Sequence, residues 1–374
     1  MGKIRNAFEN SNTQEGSFLL GRLFSSPIIR GFYKDEKPAI DIKLEGSRNE
    51  KRRLISLINT IANNSPTGRR ILETAAEAGF TFGFECQLGS YGFCDPSEKR
   101  ICLNPVTNDA ELTTTLTHEA RHAQQYANGV PNKFCAFDVA TELKLRRATE
   151  ADAQAAAAQT ALEIRASTKD ETVWRAFEHS DRLIARSVYR PPLSESLSSV
   201  VAASDRNMQN AFEGWFKDKQ IINAYEESYL YAHLTNIEKQ SKTADKVAYF
   251  AHRPFEGHKT SAEILNMVCL NEKGKCYFSD DVSIMDLTPS MCGLCQETRA
   301  AADAFFQERE QITGQAPDTS YKDLPDRGRL PNAIETKLAM MNGLRQKPED
   351  SGKSTKKTPL KSLVARIKKA RQER

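Results

Sequence analysis

No stretch of this 374-residue chain approaches the ~18–20 consecutive apolar residues of a membrane-spanning helix, so nothing in it reads as a helical span. The opening residues, Met1-Gly-Lys-Ile-Arg-Asn, have no apolar core, which argues against a cleaved secretory signal. Asn6 stands where a myristoylation start wants Ser or Thr. A cytoplasmic location is therefore expected, with export by a route that needs no cleaved signal left open. Without an oxidising compartment the eight cysteines are not expected to form a disulfide framework. Cys292-Gly-Leu-Cys295 lacks the βαβ surroundings of a redox dithiol. Cys269 and Cys276 lack the spacing of a second knuckle, so buried free thiols are expected ahead of a structural zinc on these four. No groove-reading motif is present, and no specific nucleic-acid partner is expected.

What is there is an ordinary folded composition, 39% hydrophobic and 27% charged, at a length that suggests about two domains. The pattern divides into an N-terminal arm (1–48), a compact unit (49–240), a small cysteine-containing region (241–332) and a helix with a basic tail (333–374). Residues 312–332, rich in Pro, Asp, Gly and Arg, read as a linker. From Lys347 to Arg374 ten Lys/Arg face three Asp/Glu, a net of +7 against +4 for the whole chain, which leaves −3 for the rest. Leu360, Leu363, Val364 and Ile367 fall at helical spacing among those charges. An acidic partner or a membrane surface would suit such a helix, although a solvated tail is the commoner explanation.

The stretch that states a chemistry is Leu116-Thr-His-Glu-Ala-Arg-His-Ala-Gln-Gln125, with His118-Glu119-x-x-His122 inside it. On a helix, positions four apart share a face, so both imidazoles can bind one Zn²⁺ while Glu119 reaches a water beside it. Asn108 and Glu111 look like a capping box, and Leu112, Leu116, Ala120, Ala123 and Ala127 keep a helical period. Gly129 with Pro131 ends the run. The motif thus sits mid-helix. A third ligand is required, and Glu150, 28 residues beyond His122 on a second helical segment, is the first choice. Asp152 is the alternative: it lies about 200° further round an ideal helix, so the two cannot face the same metal. The alanines at 153 and 155–158 would let that helix approach another closely.

The order of these parts resembles the gluzincin type of zinc metallopeptidase. It most resembles a bacterial family of metallopeptidases of unknown function. The shared stretch runs from Ser65-Pro-Thr-Gly-Arg69 through Gly92, Ile101-Cys-Leu-Asn-Pro105 and the His118 motif to Glu150-Ala-Asp-Ala153, and more weakly through Ala211-Phe-Glu-Gly-Trp-Phe216. The resemblance implies a zinc-dependent peptidase with His118, His122 and Glu150 as metal ligands and Glu119 as general base to a metal-activated water. It implies peptide or protein substrates. In gluzincins an Asp or Asn often stands four residues after the ligand Glu, and here that position is Gln154, an amide that can still orient a histidine.

Phe80–Cys86 alternates and is rich in β-formers, and Arg100–Asn104 reads as another short strand, so a small sheet precedes the motif helix. By the resemblance, Ile101–Asn104 would be the edge strand beside the cleft. A donor for the oxyanion is also needed, and Tyr225, Tyr229, His233 and His179 stay open. Arg121 is expected to form a structural ion pair. The fold class expected is mainly helical α+β, a zincin-like domain with a small sheet before the motif helix. The competing functional class is a catalytically silent, metal-stabilised interaction or effector protein acting through its C-terminal region and tail.

Overall fold

The computed structural model describes residues 33–87, 90–132, 136–235, 243–251, 255–278, 285 and 293–330; Cys292 and the basic tail lie outside them. The chain runs β1 (Lys43–Leu44), α1 (Arg48–Asn64), α2 (Pro66–Glu77), β2 (Thr81–Phe84), β3 (Gly92–Asp95), β4 (Arg100–Leu103), α3 (Asp109–Ala127) and α4 (Val139–Thr168). It continues through α5 (Thr172–Ser180), α6 (Arg182–Ser187), α7 (Leu197–Ala202), α8 (Ser204–Trp215), α9 (Lys219–Tyr225) and a π-helical turn (Glu226–Tyr231). Last come α10 (Thr243–Ala251), α11 (Ser261–Val268), α12 (Gln296–Thr313) and a 3-10 turn (Ser320–Asp323). This is the mainly helical α+β architecture expected from the sequence.

Local signals set the helix starts. Ser47 and Glu50 form a reciprocal capping box at α1, whose buried Leu54, Leu57, Ile58 and Ile61 follow the 3.6 period. Ser65 caps α2 and Pro66 sits at its first position, where a missing N–H costs nothing. The Asn108 side chain accepts from the Glu111 N–H at 3.0 Å to open α3.

The sheet order is β1-β2-β4-β3, with β1, β2 and β4 parallel and β3 antiparallel to β4. This corrects the expected edge strand: β4, with Ile101–Leu103, is an inner strand, and the edge facing the motif helix is β3. The inner position explains why Ile101, Cys102 and Leu103 are fully buried. From Tyr33 onward the chain is described, and within this stretch β1 joins the sheet and Ile40 enters the core.

Helix α4, 30 residues and so about 45 Å long, is the axis of the molecule and packs against α3, α5, α8 and α11. Its alanines at 153, 155, 156, 157 and 158 are buried, which lets the neighbouring helices close on it. Its Glu163 carboxylate accepts from Ser65 Oγ (2.5 Å), Thr67 Oγ1 (2.7 Å) and the Thr67 N–H (3.0 Å), tying the start of α2 to the axis. A Cβ at Gly68 would stand 2.5 Å from Ile61 Cγ2 and 3.0 Å from Thr160 Cγ2, so no larger residue fits this crossing.

The main core also takes in Ile264, Leu265, Val268 and Tyr277, while a second cluster joins Val139 and Leu143 of α4 to Leu230, Phe250, Leu294, Phe305 and Tyr321. The described residues between 261 and 330 are therefore packed on the helix that carries Glu150. The segment expected as a linker is packed through residue 330, with Tyr321 buried and Arg299 donating to the carbonyls of Tyr321 and Pro325. Among the described residues no helix is long and apolar enough to cross a membrane.

Candidate active site

Helix α3 presents His118, Glu119 and His122 to one place, and their ligand atoms lie within 4.8 Å of one another. Glu150 enters from α4. Its Oε2 is 3.5 Å from Nε2 of each imidazole, and the two Nε2 atoms are 3.0 Å apart. Three ligands on a tetrahedral zinc, at bond lengths near 2.0–2.2 Å, are separated by about 3.3–3.4 Å. The donor set and its spacing fit such an ion. Glu119 belongs to the same cluster, but the Cys94 backbone N–H donates to its carboxylate and holds it toward β3.

The charge balance points the same way. Burial alone would lower the His122 pKa, yet the Glu150 and Glu119 charges outweigh it and raise the imidazole to about 9. Burial would raise Glu150, but the His122 charge and hydrogen bonds from both imidazoles depress it well below the usual carboxylate range. The carboxylate and imidazoles thus gather positive charge, which a dication supplies when protons leave. Burial raises Glu119, with both imidazoles acting against it.

Each imidazole is oriented by an amide. His118 Nδ1 is 2.8 Å from Gln154 Oε1, and His122 Nδ1 is 2.9 Å from Gln125 Oε1. Gln125 Nε2 donates to Asp152 Oδ2 (2.6 Å) and to the Thr149 carbonyl (2.9 Å), and Gln154 Nε2 donates to Asp181 Oδ1. Burial pushes the Asp181 carboxyl up, against donors from Ser180 and Gln154. Asp152 lies away from the imidazoles: its oxygens take a two-pronged bond from Arg121 (2.7 and 2.9 Å) and another from Tyr277 Oη (2.9 Å). The ion pair read for Arg121 is this one, and it leaves Glu150 as the carboxylate that faces both rings.

Of the four oxyanion candidates, the fold brings Tyr225 and Tyr229 to the site. Both hydroxyls lie beside Glu150, and burial together with that charge raises both pKa values well above normal, so both stay protonated donors. The rings stack at 5.3 Å. His233 instead pairs with Tyr249 Oη at 2.6 Å, and His179 sits beside Glu111. The π-helical turn starts directly after Tyr225, an insertion that often marks functional sites. Its Glu226 is buried, accepts the Cys295 N–H (2.9 Å) and Arg147 Nη2 (3.3 Å), and pairs with Arg327. The C-terminal region thereby braces the turn that carries the tyrosines.

A cleft of about 160 Å³ opens over Glu119, lined by Tyr91 and Gly92 from the sheet edge, Thr115 and His118 from α3, Asp181, and Tyr225. The Asn104 N–H donates to the Tyr91 carbonyl at 2.7 Å, so strand alternation turns the polar groups of Gly92 and Cys94 away from β4, and those of Gly92 are met by the Ser90 hydroxyl. At Gly92 a Cβ would meet the Cys102 carbonyl at 2.9 Å, Thr115 Cγ2 at 2.9 Å and Glu119 Cγ at 3.2 Å. Gly92→Ala should therefore push β3 from α3, costing about 1–3 kcal/mol in denaturant unfolding.

Among the described residues no cysteine belongs to a group able to hold a metal. Burial raises the thiol pKa of Cys269, Cys276 and Cys295, the last to about 11. They are free thiols.

The site is thus a His-Glu-x-x-His group mid-helix, on a mainly helical frame with a small sheet at its edge. The chain belongs to the family described as "Putative metallopeptidase family (DUF6782)", whose model matches residues 34–251. No curated protein and no solved structure matches it. The matched span begins nine residues before β1 and includes α3, Glu150 and both tyrosines.

Proposed function

We propose that this protein is a zinc-dependent peptidase of the gluzincin type, with His118, His122 and Glu150 as the metal ligands and Glu119 as general base. The observation that carries the reading is the position of Glu150 Oε2, equidistant at 3.5 Å from both imidazole Nε2 atoms. When bound, zinc supplies Lewis-acid polarisation of a carbonyl and makes water acidic enough to lose a proton near neutral pH. Glu119 takes that proton on its carboxylate and passes it to the leaving nitrogen, a role suited to a carboxyl whose pKa burial raises. Tyr225, which lines the cleft, donates to the oxyanion; Tyr229, which does not line it, holds Glu150. β3 is the edge strand of the sheet and borders the cleft, where an extended peptide would lie, which suits peptide substrates.

Zinc measured by elemental analysis tests the ligands: about one ion per chain in the wild type, and loss of it in His122→Ala and Glu150→Gln. Wild-type zinc content unaffected by both changes would reject the assignment. Tyr225→Phe should lower kcat about 10²-fold or more with KM little changed, as for loss of one oxyanion donor. Tyr229→Phe should cost only about tenfold, the worth of one net hydrogen bond. Steady-state kinetics on an unstructured peptide separates the two.

A further inference from the structure

Gln154 has two ends, and only one serves the site. If its Oε1 faces His118 Nδ1, the ring must carry its proton on Nδ1, leaving the Nε2 lone pair for a metal. If the amide turns over, its N–H faces Nδ1, and the proton moves to Nε2, where it blocks coordination. The two amide orientations have almost the same shape, so packing alone does not choose between them. The choice falls to what lies behind the amide.

Behind it lies Asp181, at the junction of α5 and α6 and 27 residues from Gln154 in sequence. Its Oδ2 accepts from Ser180 Oγ at 2.6 Å, and its Oδ1 accepts from Gln154 Nε2. A carboxylate oxygen only accepts, so the amide nitrogen must face Asp181 and the amide oxygen must face the ring, 2.8 Å from Nδ1. The same logic operates on His122, where Gln125 Nε2 faces two acceptors, Asp152 Oδ2 and the Thr149 carbonyl. Asp181 is thus to His118 what Asp152 is to His122. Neither its sequence surroundings nor the family match distinguishes it from the chain's other acidic residues.

We propose that Asp181 is a positioning residue of the site, setting the tautomer of His118 through Gln154. The inference rests on His118 being a metal ligand. Gln154 stands where a gluzincin-like pattern often has Asp or Asn, and the negative charge that an Asp there would bring comes instead from Asp181, at the junction of α5 and α6.

The test is the zinc affinity of the full-length protein, by competition with a chromophoric chelator. Asp181→Ala should weaken zinc binding about 10–100-fold, the usual cost of losing an outer partner of a metal-binding histidine. Gln154→Leu should weaken it comparably. The double variant should be no worse than Gln154→Leu alone, because Asp181 acts only through the amide. In NMR spectra of zinc-loaded protein, the His118 Nδ1–H should exchange faster in Asp181→Ala while the His122 Nδ1–H is unchanged, a selectivity that general loosening would not produce. Should Asp181→Ala fail to fold, Asp181→Asn keeps the volume and should still weaken zinc binding, by less than the alanine change. Wild-type affinity in a folded Asp181 variant, or additive losses in the double variant, would overturn the inference while leaving the ligand assignment standing. Wild-type protein that binds no zinc would instead overturn the ligand assignment itself.

Discussion

Glu119→Gln should reduce peptide hydrolysis by about 10²–10⁴-fold or more while leaving zinc content at the wild-type level. The substitution keeps shape and volume. The amide oxygen can still accept the Cys94 N–H, so β3 and α3 stay together. What is lost is the ability to take a proton at that carboxylate. The ligand triangle of His118, His122 and Glu150 does not include Glu119, so binding should survive. Hydrolysis assays paired with elemental analysis check both halves. Loss of zinc together with activity would place Glu119 among the ligands. A wild type that holds zinc but cleaves no peptide would favour the silent interaction protein, for which deleting 347–374 should abolish partner binding.

Asp152→Ala should cost about 3–5 kcal/mol of folding stability, measured by denaturant unfolding, the largest single loss expected outside the apolar core. Asp152 is fully enclosed and Arg121 nearly so. Removing the carboxylate strands a guanidinium in the interior and takes the acceptor from Tyr277 and Gln125 as well. Because Gln125 orients His122, zinc affinity should fall with stability. A partial recovery is expected in Arg121→Met/Asp152→Leu, where no charge is left unpaired. A loss below about 1 kcal/mol for Asp152→Ala would show that water reaches the pair.

Much of this fold is legible in short stretches of sequence. Caps at Ser47, Ser65 and Asn108 lie within three residues of the amides they satisfy, and the i, i+4 spacing of His118 and His122 is a property of one helix. The strand at Arg100–Leu103 is evident from its composition, but its place is not. A strand's neighbours depend on which other strand arrives, and β3, with Gly and Asp among its four residues, carries a weak β signal. The C-terminal region misleads for a related reason. Pro and Gly between residues 312 and 332 make it look like a linker, whereas Tyr321 and Arg299 anchor it through contacts that no local pattern announces.

By itself the sequence determined the helical frame, the pairing of two imidazoles with a carboxylate one residue after the first, and the two acidic candidates on the following helix, because these depend on spacing along one element. Only the tertiary structure decided that Glu150 faces the rings while Asp152 meets Arg121, that Tyr225 and Tyr229 reach Glu150 while His179 and His233 do not, and that Asp181 stands behind Gln154. Those choices depend on how helices far apart in the chain cross and rotate against one another. Packing sets that rotation, and a helix with apolar and small residues on every side, as α4 has, does not announce which face will meet which neighbour.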